Sequence, residues 1–155
     1  MKVHLRPLQE TDAKKSWKWR NDLNVWKFTG NRPSTYITAE IELDWIREAL
    51  NRSDEIRFAI CVGEFNEYVG NAQLTSITSD DAEFHIFIGE KISRNQGVGS
   101  KATQLVFDYA KKNLGLKNIY LHVHPENIAA IRAYIKCGFV LSHFKDDNFV
   151  YIKDL

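Results

Sequence analysis

The feature that most constrains the fold of this chain is a glycine-containing loop between an alternating segment and a long amphipathic one. Residues 82–88, AEFHIFI, alternate as a β-strand does. Gly97 and Gly99 then open a segment with helical apolar spacing that runs to Gly115. Glycine in a helix costs roughly 1 kcal/mol relative to alanine. Two glycines in a first turn therefore indicate either a helix start whose bare amides face a ligand, or a turn that only needs flexibility.

An anion suits this loop on electrostatic grounds. The first N–H groups of a helix lack partners inside the helix, and the helix dipole adds partial positive charge there. Glycines admit a bulky anion such as a diphosphate, and Arg94 and Lys101 flank the loop as cations. Two familiar phosphate loops do not fit: Ser100 precedes Lys101, contrary to G-x-x-x-x-G-K-[ST], and the loop follows antiparallel strands, contrary to the dinucleotide-binding fingerprint.

The remaining segments predict an α/β domain with the element order β-α-α-β-β-β-α-β-α-β-β. Strands are predicted at residues 2–6, 58–62, 68–77, 82–89, 117–124, 139–143 and 149–152. Helices are predicted from a cap at Thr11 or Asp12 through Leu23, from Thr38 to Leu50, from the glycine loop to a cap at Gly115, and from a cap at Asn127 to Lys136, with a loop at residues 31–38. The strands on either side of the glycine-loop helix form a β-α-β unit and are expected to pair in parallel, with a ligand site near their carboxyl ends.

Composition restricts the classes of function. The 155 residues suit a single domain, and 21 basic against 20 acidic residues give a net charge of +1 without a basic run, which disfavours nucleic-acid binding. Cys61 and Cys137 lie far apart, so no disulfide or metal spacing is present and reduced thiols are expected. No signal peptide or 18-residue apolar span is visible, so we expect a cytoplasmic protein without a membrane partner.

Two motifs resemble those of the GNAT N-acetyltransferase superfamily. Residues 94–99, RNQGVG, are similar to its acyl-CoA loop R/Q-x-x-G-x-G/A. Residues 127–139, NIAAIRAYIKCGF, fill every fixed position of a second pattern, N-x-x-A-x-x-x-Y-x-K-x-G-F. The motifs lie about 30 residues apart in the family's element order. The resemblance is densest over residues 82–139 and thin before residue 54.

This resemblance implies a fold, a cosubstrate and a set of contacts. The fold would be a single GNAT-like domain over residues 1–155, a mixed sheet with a splay between its two central parallel strands. Residues 1–55 would form the acceptor-side half and residues 56–155 the acetyl-CoA-binding core. The residues that would bind acetyl-CoA are Phe87, Ile88, Ile92, Arg94, Asn95, Gln96, Gly97, Val98, Gly99, Ser100, Lys101, Asn127, Ala130, Tyr134 and Lys136. For Asn127, the alternative role is that of a simple helix cap.

The resemblance also implies catalytic roles. Tyr134 occupies the position of the general acid, where a phenol would protonate the departing thiolate, and its alternative is core packing. An amine acceptor must lose a proton before it attacks, and Glu83 or His85 is the candidate base unless both are solvated. His122 and His124 share a strand face, but no third ligand is apparent, so no metal is expected.

The acceptor is predicted to meet Trp19, Arg20, Asn21, Trp26 and Phe28, with the aromatic rings either as a stacking floor or as core. Residues 19–22, WRND, resemble a run in aminosugar N-acetyltransferases, which favours a small or nucleotide-linked aminosugar whose phosphates would need Arg20, Arg32 or Arg57. The alternatives are a polyamine, a protein amino terminus, or a non-catalytic CoA-binding sensor domain. Transfer is expected to be direct, in a ternary complex, with Cys137 structural. The oligomeric state stays open, a homodimer included.

Overall fold

The computed structural model describes residues 2–28 and 35–155. The strands of these residues are β1 Val3–Pro7, β2 Ile56–Val62, β3 Glu67–Thr75, β4 Asp81–Ile88, β5 Asn118–Val123, β6 Val140–Lys145 and β7 Asn148–Asp154. The α-helices are α1 Ala13–Arg20, α2 Leu23–Trp26, α3 Ala39–Leu50, α4 Val98–Leu114 and α5 Ile128–Lys136. The strands form one mixed sheet in the order β1-β2-β3-β4-β5-β7-β6. The predicted α/β mixed sheet is confirmed.

Helices cover both faces of this sheet because its central strands are apolar on both sides. On β2, Phe58 and Ile60 point into a core shared with α4, while Ala59 and Cys61 point into a second core with Trp19 of α1. Both sets are buried. The sheet therefore separates an α4 and α5 side from an α1 and α3 side, as expected for strands that are buried on both faces.

The central parallel strands separate before they end. Among the described residues, β4 and β5 pair only between Asp81–Glu83 and Asn118–Tyr120. Strand β4 continues to Ile88 and β5 to Val123. The predicted splay between the two strands is confirmed, and it opens a gap through the sheet at their carboxyl ends.

The first predicted helix is wrong in its length and in its cap. It ends at Arg20 because Asn21 Nδ2 donates to the carbonyl of Ile37 at 2.8 Å, and because Asp22 accepts the Asn24 amide at 2.9 Å to start α2. Such side-chain bonds to the backbone compete with helical ones. Asp12 makes no cap bond to α1, since its carboxylate accepts from Arg6 at 2.8 Å and from the Gln9 amide at 2.8 Å.

The other predicted helix ends are confirmed. Thr38 Oγ1 accepts the Ile41 amide at 3.2 Å, Asn127 Oδ1 accepts the Ala130 amide at 3.3 Å, and Gly115 ends α4 with a φ of 63°. Strand β1 extends through Pro7, which a strand at the sheet edge tolerates. Most of the loop predicted at residues 31–38, with Arg32, lies outside the described residues.

Candidate active site

The glycine loop forms an open cradle at the start of α4. Gly97, the residue before the helix, has a φ of 77°, and Asn95 has a φ of 62°. The Lys101 amide donates to the Gly97 carbonyl at 3.1 Å. The helix therefore leaves the amides of Val98, Gly99 and Ser100 without an intrahelical acceptor. A Cβ atom built on Gly97 or Gly99 would meet no atom of the described residues within 4 Å. Free amides beside open space fit a diphosphate.

A cavity of about 280 Å³ lies against this cradle, between the end of β4 and α5. The predicted cofactor residues that line it are Phe87, Ile88, Arg94, Asn95, Gly97, Val98, Gly99, Ser100, Ala130 and Tyr134. Ile92, Gln96, Lys101 and Lys136 lie outside its lining, and Asn127 lines the larger cavity described below.

Arg94 organises the loop through its guanidinium group. Its Nε donates to the Ile88 carbonyl at 3.0 Å and its Nη2 to the Gly89 carbonyl at 2.9 Å. The same Nη2 lies 3.3 Å from the carboxylate of Asp22. Arg94 thus connects the glycine loop to the end of β4. Its ion pair with Asp22 partly neutralises the positive charge that the sequence predicted for binding an anion.

A second cavity, of about 750 Å³, lies on the α1 and α3 side of the sheet. Ile86, Phe87 and Tyr134 line both cavities. Ile86 and Phe87 belong to β4 beyond its pairing with β5, and Tyr134 belongs to α5. The two cavities therefore approach each other at the splay.

Tyr134 holds its proton firmly at this junction. Its ring packs edge-on against Phe139 with the ring centroids 5.7 Å apart. Burial, with a smaller effect from Cys137, raises the pKa of Tyr134 to about 12. The phenol is thus neutral at physiological pH and can donate a proton.

Glu83 lies between two histidines next to the splay. Its Oε2 is 2.6 Å from His85 Nε2, and its Oε1 is 3.0 Å from His122 Nδ1. The hydrogen bond with His85 lowers the pKa of Glu83 below its usual value, against the effect of burial and with help from His122. His85 Nε2 also lies 3.1 Å from Thr75 Oγ1. Both imidazoles line the larger cavity, whereas Glu83 is not among its lining residues.

Sequence reasoning did not connect His122 with Glu83. The structure connects them through the strand register, because Glu83 pairs with Tyr120 across the parallel strands and His122 is two residues further on the same face. His124 lies against the ring of Phe28, with centroids 5.5 Å apart. No metal-ligating cluster is present within residues 2–28 and 35–155.

The residues predicted for the acceptor separate into two groups. Arg20, Trp26 and Phe28 line the larger cavity. Trp19 is 4% exposed and packs against Tyr68, with centroids 4.7 Å apart. Asn21 holds the backbone of Ile37. Trp19 and Asn21 were predicted to contact the acceptor, but neither lines the larger cavity. Trp19 packs in the core, and Asn21 fixes the backbone at Ile37.

The larger cavity also contains charged residues beyond those predicted to contact the acceptor. Glu42 of α3 is 3% exposed, accepts from Ser16 Oγ at 2.8 Å and lies 3.4 Å from Arg20 Nη1. Burial raises the pKa of Glu42. Its position among the buried residues of an amphipathic helix, one turn before Ile46, was the signal that could have identified it.

Comparison with known proteins identifies the family. The sequence profile of the family described as acetyltransferase (GNAT) domain matches residues 2–140. The chain belongs to the GNAT acetyltransferase family. It is thus an N-acetyltransferase that uses acetyl-CoA, and the predicted family, enzyme class and cosubstrate are confirmed. None of the helices in the described ranges is long and apolar enough to cross a membrane.

Individual relatives agree with this assignment. The chain is 31% identical over 139 residues to the spermidine N(1)-acetyltransferase of Escherichia coli, which covers 88% of this chain and 72% of the relative. It is 28% identical over 145 residues to the probable N-acetyltransferase YjcK of Bacillus subtilis, with coverages of 88% and 80%. Its fold matches the spermidine N-acetyltransferase of Vibrio cholerae, solved in complex with CoA and spermine, with a TM-score of 0.84 at 23% identity over 99% and 94% of the two chains.

Proposed function

We propose that this acetyltransferase moves the acetyl group directly from acetyl-CoA to a primary amine, with the two substrates held on opposite sides of the sheet. The observation that carries the proposal is that Tyr134 lines both the cavity beside the glycine loop and the larger cavity. A single ternary complex would thus bring the acetyl donor and the amine together at the splay.

The cofactor side of the proposal rests on the cradle of α4. The amides of Val98, Gly99 and Ser100 would hold the diphosphate of acetyl-CoA. Asn127 would reach the pantetheine arm through its Nδ2 group, because its Oδ1 already caps α5. Acetyl-CoA supplies an activated acetyl thioester, and the residues around it control the protons.

Two proton transfers accompany the reaction, and each has a candidate group at the splay. Tyr134 would donate its proton to the departing thiol sulfur, a contribution that is typically about 10²–10⁴-fold. His85 or His122 would take the proton that the attacking amine loses, since both line the larger cavity. Glu83 would then be a positioning residue that orients the two imidazoles.

Direct transfer is supported by the place of Cys137. This thiol lines the cavity beside the glycine loop and is 7% exposed. The two histidines that could activate a nucleophile line the other cavity. A cysteine nucleophile needs an adjacent base or a lowered pKa. We therefore assign Cys137 a structural role rather than a covalent one.

The choice of amine is the finer part of the proposal. The comparisons give no support to the aminosugar that the sequence favoured, whereas the spermidine acetyltransferases among the relatives fit the polyamine alternative. A polyamine is therefore one candidate acceptor, and an amine screen should include polyamines, aminosugars, amino acids and peptides. Acetyl-CoA binding without turnover across that screen would favour the non-catalytic sensor.

Replacement of Tyr134 by Phe tests the proposed chemistry. We expect kcat to fall about 10²–10⁴-fold because the variant lacks the hydroxyl group that protonates the departing thiolate. The dissociation constant of acetyl-CoA, measured by isothermal titration, should change less than about threefold because the ring and its packing remain. Tyr151→Phe is the matched control, since Tyr151 is buried in the core and lines neither cavity. An unchanged kcat in Tyr134→Phe would refute the assignment.

A further inference from the structure

Among the residues that the structure describes, three arginines line the larger cavity: Arg20, Arg52 and Arg57. Arg20 and Arg57 converge on one aromatic ring, with their guanidinium carbons 4.9 and 4.8 Å from the centroid of Trp45. Contact with an aromatic face holds a guanidinium group in a defined orientation. The side chain of Arg57 is only 9% exposed. These two arginines are thus fixed groups of the cavity wall rather than mobile surface cations.

Both of these guanidinium groups carry a hydrogen-bond donor that no described residue uses. The Nε atoms of Arg20 and Arg57 are buried and have no hydrogen-bond partner among the described residues. An unsatisfied buried donor is costly, and buried polar groups in native proteins almost always have a partner. A ligand in the cavity that offers acceptor atoms to this pair would remove that cost.

The charges of the cavity wall also favour a negative ligand group. The two carboxylates found among its described lining residues are already engaged, Glu42 by Ser16 and Arg20, and Glu55 by Arg57 and Arg52. Burial lowers the pKa of Arg57; Glu55 opposes that effect and the like charges of Arg52 and Arg20 add to it. A polycation in this part of the cavity would meet repulsion, whereas an oxyanion would be attracted.

We infer that the acceptor amine carries an oxyanion, a phosphate or a carboxylate, that binds to Arg20 and Arg57 while its amino group reaches the splay. This inference rests on the proposed function, because it places the acceptor in the larger cavity. The guanidinium fork can bind either oxyanion through two parallel hydrogen bonds. Arg20 and Arg57 would therefore recognise the acceptor by its oxyanion, at the end of the molecule opposite the reacting nitrogen.

Matched pairs of amines test the inference on the unmodified protein. The pairs are ethanolamine with phosphoethanolamine, glucosamine with glucosamine 6-phosphate, and cadaverine with lysine, with spermidine as the polyamine. We expect kcat/KM to be at least about 100-fold higher for one or more oxyanion-bearing amines than for the matched amine without the oxyanion, since charge-assisted bonds to two guanidinium groups are lost in the latter. The phosphate and carboxylate arms distinguish the two oxyanions. Equal rates within every pair, or spermidine as the best acceptor, would overturn the inference while the acetyltransferase function stands.

Variants and binding measurements complete the test. Arg20→Gln and Arg57→Gln should each reduce the preference within the best pair to less than about tenfold. Arg47→Gln, which removes an exposed arginine of α3 that does not line the cavity, should keep it. Isothermal titration of the same amines into the CoA-saturated protein provides a readout without turnover. Binding of no oxyanion-bearing amine there would also overturn the inference. Failure of the protein to bind CoA at all would instead refute the proposed function.

Discussion

Replacement of Gly99 by Ala should raise the stability of the protein and weaken its binding of acetyl-CoA. A Cβ atom at Gly99 would lie more than 4 Å from its neighbours in residues 2–28 and 35–155, so this part of the folded chain can accept it without a clash. The same Cβ would stand in the space of the cradle, next to the amides that we assign to the diphosphate. The two effects have opposite signs, which makes this substitution more informative than one that harms both properties.

The magnitudes follow from the position of Gly99 in the first turn of α4. Alanine is favoured over glycine in a helix by about 0.5–1 kcal/mol. For a domain of this size, that gain raises Tm by about 1–4 °C. Loss of one hydrogen bond from an amide to a charged phosphate costs about 1.5–3 kcal/mol, which corresponds to an increase in Kd of about 10- to 150-fold.

Thermal unfolding of the free protein and isothermal titration with acetyl-CoA measure the two effects separately. Gln104→Ala is the matched control, because Gln104 is an exposed residue of the same helix and lies outside both cavities. Gly97→Ala should instead destabilise the fold by about 1–2 kcal/mol, since its φ of 77° disfavours any side chain. Unchanged affinity in Gly99→Ala would remove the cradle from cofactor binding, and a lower Tm would refute the open space at this glycine.

The remaining predictions concern protons and covalent chemistry. Because the pKa of Tyr134 is raised to about 12, kcat should show no loss from its ionisation up to about pH 10; an alkaline limb near pH 10 that Tyr134→Phe abolishes would contradict this. Glu83→Gln should lower kcat at least about tenfold with little change in the Kd of acetyl-CoA, as the imidazoles lose their carboxylate. Since His85 lowers the pKa of Glu83, its contribution to stability exists above the usual value of 4.5 and is lost as pH falls below it, so the unfolding free energies of wild type and Glu83→Gln should converge in acid. Incubation with acetyl-CoA alone should leave the intact mass of the protein unchanged, and an acetylated Cys137 in the mass spectrum would refute direct transfer.

The sequence predicted the parts of the molecule that local physics determines. Strand β4 was predicted from the alternation before the glycine loop, and α4 from the loop glycines and the cap at Gly115. Each of these signals reflects the backbone preferences of residues that are close in the chain. The parallel pairing of β4 with β5 followed from the handedness of β-α-β units. Tyr134 was identified only through a family motif, because an aromatic residue on a helix face carries no catalytic signal of its own.

The remaining features depend on contacts between residues that are distant in the chain. Asn21 ends α1 because its amide reaches Ile37, a partner that no local pattern reveals. His122 joins Glu83 only once the register of β4 and β5 is fixed. Composition cannot distinguish a core tryptophan from a stacking platform, so both roles stayed open for Trp19 until its burial and its contact with Tyr68 were seen in the structure.

The central claim is that donor and acceptor meet at Tyr134, and a crystal structure of the protein with CoA tests it most directly. We predict that the diphosphate binds the amides of Val98, Gly99 and Ser100, and that the thiol sulfur lies within hydrogen-bonding reach of the Tyr134 hydroxyl. A diphosphate bound away from the glycine loop, or a sulfur distant from Tyr134 with the cofactor fully ordered, would contradict the account.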